Sequence, residues 1–511
     1  MTSKSFYIST PIYYPNSTLH LGHAYTTVLS DVLARYKRMQ GYKVFFSTGS
    51  DEHGQKIEKA ANLIGVEPQK FVDEMATKFQ ELWTALKIDY SIFNRTSNLE
   101  HNHVVQQIFE VLLEQEDIYL DSYQGWYCIS DEEFVKETEM TTNKHHLTCG
   151  NELKFIQEES YFFRVSKYQK ELKEYYLQHP EFIYPETRIT EMVNNFLNPG
   201  LQDLSVSRVN FNWGVHVLSD SKHVIYVWID ALINYLSGLG YLTEDDTNFK
   251  QYWSPESEIV QILGKEITRF HAIYWPILLI ALKLRLPNKL ISHSWITLAN
   301  EKMSKSKANN VNPLELVKEY GSDALRFFLI HDLHVTRDSN YSEQLLIESY
   351  NHNLVNNLGN LLSRTMTMVT KYYHDNIPRY ITNDNVLDNK LETTIKITIK
   401  SYQALMDQYL INEAYQEVIN LLHDANKYIE QRTPWVLFAN NDSSLDKVIN
   451  NLCQTLKVVA FLCKPVLIDT SNHIFKQLNI KEETLNFNNL SDFKDLNNTV
   501  VNKKFLLFIR K

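Results

Sequence analysis

Cysteine is scarce in this chain. Four in 511 residues cannot build a disulfide framework, which suits a reducing compartment such as the cytosol. Long apolar runs are missing too. The longest charge-free apolar run, 270–282, is too short to span a bilayer and reads as a buried helix. No secretion pattern precedes the first strand-like run, Phe6-Tyr7-Ile8. Positive charge is not in excess: 51 Lys and Arg face 61 Asp and Glu, a net −10. That argues against a whole-surface basic footprint for nucleic acid but leaves room for a local basic track. The expectation is a cytoplasmic protein with no membrane partner.

What is present is the composition of a folded protein. Apolar residues make up 44% and charged residues 22%, and aromatics are abundant, with 30 Tyr and 25 Phe. The length is too great for one core and predicts about three domains.

The stretch from Phe6 to His23 is the most informative. A short β-prone run meets a Pro-containing turn, Pro11 to Pro15, and a helix opens near Leu21. From there Ala24, Val28, Val32 and Tyr36 recur every fourth residue. His20 and His23 therefore sit where a strand ends and a helix begins. Such a terminus offers unpaired N–H groups and a positive dipole end to an anion, and Gly22 allows a ligand close to the backbone. Two imidazoles there can donate to a phosphate as its charge builds. Taken alone, the same residues also read as ordinary surface histidines on a βα turn.

The second stretch is Glu301 to Val311, where Lys302, Lys305 and Lys307 are interleaved with Ser304 and Ser306. It reads as a loop with ammonium groups at its tip, suited to a pyrophosphate leaving group. By itself it could equally be a solvated basic loop. Together, His20-Leu21-Gly22-His23 and Lys302-Met303-Ser304-Lys305-Ser306 resemble the two signature motifs of class I aminoacyl-tRNA synthetases. The first departs from the usual form only by Leu21 in place of Ile.

The resemblance implies an α/β fold. Its catalytic domain is a Rossmann-type doubly wound parallel sheet with a small β-rich inserted connective domain, and an all-α anticodon-binding helix bundle follows. The expected boundaries are 1–115 and 218–345 for the two halves of the catalytic domain and 116–217 for the insertion. The bundle takes 346–490 and a C-terminal tail 491–511. Longer relatives append a further tRNA-binding and dimerising domain, which this chain stops before. Between Gly49 and Gly54 the strand-end cluster Asp51-Glu52-His53 narrows the resemblance to the methionyl-tRNA synthetases.

Carried over from that family, Asp51 holds the methionine ammonium. Ile12, Tyr14, Trp228, Ala231, Leu232, Tyr235, His271 and Trp275 wall the methionine pocket. Residues 224–230 read as a strand and a helix follows from Ala231; Trp228, Ala231, Leu232 and Tyr235 share one helical face, a stripe that alone means core packing. Aromatic edges suit a thioether. For ATP the resemblance names His20, Gly22, His23, Gly264, Glu266, His293, Trp295, Ile296, Lys302, Ser304 and Lys305. Glu266 would accept ribose hydroxyls, and Trp295 and Ile296 would border adenine. The catalytic set is His20, His23, Lys302 and Lys305. Asn360, Arg364 and Trp435 match the anticodon readers; without the family, a Trp after Pro434 reads as helix-start packing.

Within the insertion, Cys128-x-x-Asp131 and His146-x-x-Cys149 have the spacing of a zinc knuckle, but an aspartate stands where the family has cysteine or histidine. The expectation is a loop without structural zinc.

The implied reaction is attack of the L-methionine carboxylate on the α-phosphate of ATP, which enters with Mg²⁺. Methionine then passes to tRNA(Met), the initiator included. The chain is expected to act as a monomer. Rival readings are another class I synthetase, a tRNA-independent adenylyltransferase and a non-catalytic tRNA-binding derivative. The helical C-terminal third and Trp435 speak against the second, and two intact signature motifs against the third.

Overall fold

Ser5–Tyr13 (β1) is buried almost throughout, and its side chains divide between two cores: Phe6 and Ile8 pack on one face, Tyr7 on the other. A strand covered on both faces reads as one apolar run rather than an alternation. The same division continues in β2 (Lys43–Ser50), where Phe46 and Phe45 part, and in β5 (Ser257–Gly264) and β6 (Lys289–His293). With β3 (Ile92–Arg95) and β4 (Ile183–Tyr184) these strands form one parallel sheet in the order β3-β2-β1-β5-β6-β4. The chain winds outward from β1 to β3, then crosses to the other side of β1. The order reverses between β1 and β5, so the carboxyl ends of those strands open a crevice.

The structure is a computed structural model that describes residues 4–15, 19–128, 133–135, 137–147, 149–298, 301–302, 311–502 and 506–511. No helix among them is long and apolar enough to cross a membrane.

The helix Leu21–Met39 (α1) follows β1 and carries Lys37 and Arg38 in its last turn, where cations favour the dipole. Antiparallel strands Ile118–Cys128, Glu133–Val135, Lys154–Phe163 and Leu204–Ser205 form a separate four-stranded layer. Residues between the last two return to the parallel sheet, because β4 pairs with β6 through Leu290 and Ile291.

One expected element differs. The strand expected over 224–230 stops at Ile225, and the helix Val227–Ser237 (α2) begins before Trp228. A short apolar run fits either period. Here the helical stripe wins, helped by Asp230, whose charge suits the first helical turn.

After residue 343 the described chain is helical up to residue 478, with intervening loops. It includes Asn360–Tyr373 (α3), two helices of 22 residues each, Val386–Asp407 and Ile411–Arg432, and the short Pro434–Ala439 (α4). The bundle core is continuous with the core beneath α1. Arg326 pins the two together from a fully buried position. Its guanidinium donates to Asp31 on α1 (2.7 Å), to the Leu86 carbonyl (3.0 Å) and to the carbonyls of Pro465 and Val466 in the bundle (2.5 and 3.1 Å). A buried cation is tolerated only when its donors are met in this way.

Candidate active site

Every strand that meets the crevice delivers residues from its carboxyl end. Ile12 and Tyr14 come from the end of β1, and His20, Gly22 and His23 from the start of α1. Asp51 follows β2, Gly264 and Glu266 end β5, and His293 to Ile296 follow β6. The expected ATP and methionine residues thus converge from segments far apart in sequence.

His20 is the N-cap of α1. Its Nδ1 accepts the Gly22 N–H (3.1 Å), and the Nδ1 of His23 accepts the His20 N–H (3.1 Å). This is a capping box made by two imidazoles in place of the usual Ser and Glu. An accepting Nδ1 leaves the proton on Nε2, so both rings present an N–H donor at the end away from the backbone. The rings lie 3.9 Å apart between centroids. Gly22 has a role the sequence did not show: a Cβ there would come within 2.9 Å of the His20 ring. Gly264 behaves alike, since a Cβ would meet the Glu266 carboxyl at 2.6 Å.

Glu266 accepts the Trp295 indole N–H (2.9 Å), and Lys265 lies over that indole, 3.8 Å from its centroid. Both ring nitrogens of His293 are engaged. Nδ1 donates to the Ser294 carbonyl (2.8 Å) and Nε2 accepts from Thr26 on α1 (2.7 Å). Burial pushes its pKa down, which keeps it neutral. His293 therefore braces α1 against β6 and offers a ligand only its ring. Lys302 pairs through its backbone with Thr297, beside Trp295 and Ile296. Ser304 and Lys305 lie outside the described residues.

The residues expected to wall methionine lie on α2 and within 270–275. Ala231, Leu232 and Tyr235 are buried on α2, as are His271 and Trp275 opposite. Trp228 stacks on Phe270, with planes 8° apart. Tyr235 donates to the Nε2 of His271 (2.7 Å), and His271 Nδ1 donates to the Ile267 carbonyl (3.0 Å). Burial outweighs that carbonyl and lowers the His271 pKa to about 4, so the ring is neutral at pH 7. Trp275 donates to Gln261 of β5 (2.8 Å). Behind Trp228 and Phe270 lies a cavity of about 440 Å³ whose lining includes Arg208 and Arg269.

Asp51-Glu52-His53 splits three ways. The Asp51 backbone bonds to Tyr13 at the end of β1 (3.0 Å). Glu52 turns into the interior and accepts from Arg95 (2.8 Å) and Ser50 (2.5 Å). His53 reaches Asp230 on α2 through Nδ1 (2.8 Å), and His101 binds the other oxygen of Asp230 through Nε2 (2.7 Å). All three are buried. Burial alone would raise the Asp230 pKa, but the two imidazoles outweigh it and bring it to about 2. The triad pins the pocket helix to the loop that carries Asp51. Sequence reasoning singled out neither Asp230 nor His101, since a lone Asp in an apolar run carries no motif.

In the insertion the fold gathers what the sequence left in doubt. Cys128 Sγ lies 3.4 Å from Cys149 Sγ, and Cys149 Sγ lies 3.5 Å from His146 Nδ1, all three donors within 4.8 Å of one another. Two thiols and an imidazole are a zinc donor set, and the spacing suits a tetrahedral ion with Zn–S of about 2.3 Å. The expectation of no zinc rested on Asp131, which lies outside the described residues. The residues that are described fit the metal.

On the bundle, Asn360 is exposed, Arg364 pairs with Glu430 (2.6 Å), and Trp435 is 44% exposed at the start of α4. Helix-start packing, the plain reading of that Trp, does not bury it.

Residues 6–366 match the family described as "tRNA synthetases class I (M)", and residues 381–501 that described as "Anticodon binding domain of methionyl tRNA ligase". The chain is 46% identical over 498 residues to the methionine–tRNA ligase of Enterococcus faecalis, covering 95% of this chain and 74% of that one. It is 47% identical over 493 residues to that of Listeria innocua, covering 94% and 74%. The solved Mycobacterium tuberculosis methionyl-tRNA synthetase in complex with methionyl-adenylate has a TM-score of 0.94 at 34% identity, covering 98% of this chain and 99% of that one. Its free-state form has a TM-score of 0.87 at 31% identity, covering 100% and 98%. Motifs, crevice and likeness over nearly the whole length agree, and the chain belongs to the methionyl-tRNA synthetase family of class I aminoacyl-tRNA synthetases.

Proposed function

We propose that this chain is a methionine–tRNA ligase that makes methionyl-adenylate and pyrophosphate from L-methionine and ATP, then transfers methionine to the 3′-terminal adenosine of tRNA(Met), the initiator included. The observation that carries the reading is the imidazole pair at the α1 N-terminus, with both Nε2–H donors set at the crevice where the strand order reverses.

No covalent nucleophile is needed. The methionine carboxylate attacks the α-phosphorus in line, the bond to the bridging oxygen breaks, and pyrophosphate leaves. Catalysis is positioning plus charge stabilisation. Asp51 holds the substrate ammonium, and Tyr14, Trp228, Tyr235, His271 and Trp275 surround the thioether. Neutral His271 and a Tyr235 hydroxyl already committed to it keep charge out of that pocket. His20 and His23 donate to the α-phosphate as its charge grows; Lys302 and Lys305 take the outer phosphates. ATP enters as its Mg²⁺ complex, the ion neutralising part of the polyphosphate charge. Glu266 binds ribose, and Trp295 and Ile296 flank adenine. Asn360, Arg364 and Trp435 read the anticodon. Cys128, His146 and Cys149 would hold a zinc ion that staples the loop between them. The reading takes the chain as a cytoplasmic monomer.

Amino-acid-dependent exchange of pyrophosphate into ATP, followed by charging of tRNA(Met), tests it. Exchange with methionine but not isoleucine or valine is expected. No exchange with methionine would sink the reading.

A further inference from the structure

Beyond Trp435, the helical bundle carries aromatic surface that none of these roles uses. α4 leaves three large apolar side chains in water: Trp435 and Val436 at 44% exposure and Phe438 at 42%. Phe438 lies one turn beyond Trp435, so the two occupy the same side of α4, about 5–6 Å apart at Cβ. Phe438 is also stacked face to face on Tyr372 of α3, with centroids 4.2 Å apart and planes 18° apart. The exposed Lys371 puts its ammonium 5.7 Å from the Tyr372 ring. α3 is the helix that carries Asn360 and Arg364, and Tyr372 stands two turns past Arg364, about 12 Å along the axis. Two helices thus build one strip of surface. It starts at Asn360 and Arg364 and runs on to a pair of parallel rings, of which Phe438 is 42% exposed and Tyr372 partly buried behind it, with a cation beside them.

An exposed ring held flat by a second ring behind it suits a planar ligand, and the cation beside it suits an anionic backbone. We propose that Phe438, backed by Tyr372, is a further stacking platform for an unpaired base of the anticodon loop, next in line to the base on Trp435, with Lys371 against the adjoining phosphate. The inference rests on the anticodon reading of the bundle, and α4 lies inside the 381–501 segment that matches an anticodon-binding domain. RNA is favoured over a protein partner for two reasons. The patch is only a few side chains wide, and it continues the anticodon face instead of opening a separate apolar groove.

The test uses the full chain and the anticodon stem-loop RNA of tRNA(Met), with the fluorescent base 2-aminopurine placed at each unpaired loop position in turn. Phe438→Leu keeps apolar contact with Tyr372 but removes the ring, and Phe438→Tyr restores it. The expected result is that Phe438→Leu raises the RNA Kd about tenfold and frees one probe that the wild type quenches, at unchanged Tm. Phe438→Tyr should bind as the wild type does. Trp435→Ala is measured beside them. If Trp435→Ala weakens binding while Phe438→Leu does not, the platform is wrong and the anticodon reading stands. If neither changes binding, the anticodon reading itself fails. A drop in Tm and in pyrophosphate exchange with Phe438→Leu would make the ring structural and also overturn the proposal.

Discussion

His23 accepts the backbone N–H of His20 at 3.1 Å through Nδ1, and that single bond fixes which end of its ring carries the proton. His20 is fixed likewise by Gly22. The two residues close the helix and aim its donors with the same contacts, so capping and the proposed catalytic role can be separated by choice of substitution. His20→Asn should keep the cap, because Asn is a preferred N-cap acceptor. It removes the donor at the Nε2 position. Tm should hold while adenylate formation falls about 10²- to 10³-fold, the usual loss of roughly 3–4 kcal/mol for one charge-stabilising donor. A variant with the normal rate would take His20 out of the chemistry.

Asp230→Asn addresses the pocket helix. Breaking a buried charged contact typically costs roughly 3–5 kcal/mol, so the variant should melt several degrees lower. Because α2 is then loose against the Asp51 loop, KM for methionine should rise about tenfold while KM for ATP holds. The pH dependence has a definite sign. Asp230 has a depressed pKa, so its stabilisation is present above the unfolded value near 4 and is lost as pH falls toward about 2. The stability gap between wild type and variant should be constant from neutral pH to about 4 and close below it. A gap that persists at pH 2 would contradict the triad.

His271 adds a slope of the same sign at higher pH. Its folded pKa is lowered from 6.5 to about 4, so the unfolded chain takes up the proton first as the solution is acidified. This one group should cost about 1.4 kcal/mol of stability per pH unit between those values. His271→Gln should remove that share of the slope. Unfolding curves at several pH values between 4 and 6.5 would show it; an unchanged slope would mean the ring is protonated in place.

Metal analysis decides the insertion. About one zinc per chain is expected, lost in a Cys128→Ser, Cys149→Ser double variant and on treatment with a strong chelator, with a lower melting temperature for the stripped protein. Protein purified without chelator and found free of zinc would restore the metal-free loop.

Sequence alone determined what contiguous residues determine. The helix start and the two imidazoles of His20-Leu21-Gly22-His23 lie within one helical turn, so spacing and residue type reveal them, although the cap they form was not read from the sequence. The stripe Trp228, Ala231, Leu232 and Tyr235 follows from the helical period, and the doubly buried strands from unbroken apolar runs. What only tertiary structure decided was which loops meet. Asp230 lies 177 residues from His53 and 129 from His101, and no local period links them. Asp51 and Glu52 are adjacent carboxylates, yet Glu52 is turned inward by Arg95, from a strand that sequence spacing cannot place beside it. The three donors of the insertion looked incomplete because one half-site holds an aspartate, and the folded loop draws the other three together regardless. The physical reason is the same in each case. Backbone geometry fixes period and caps over a few residues, whereas the pairing of distant segments is set by how the whole chain buries its apolar faces and pays for the charges it takes with them.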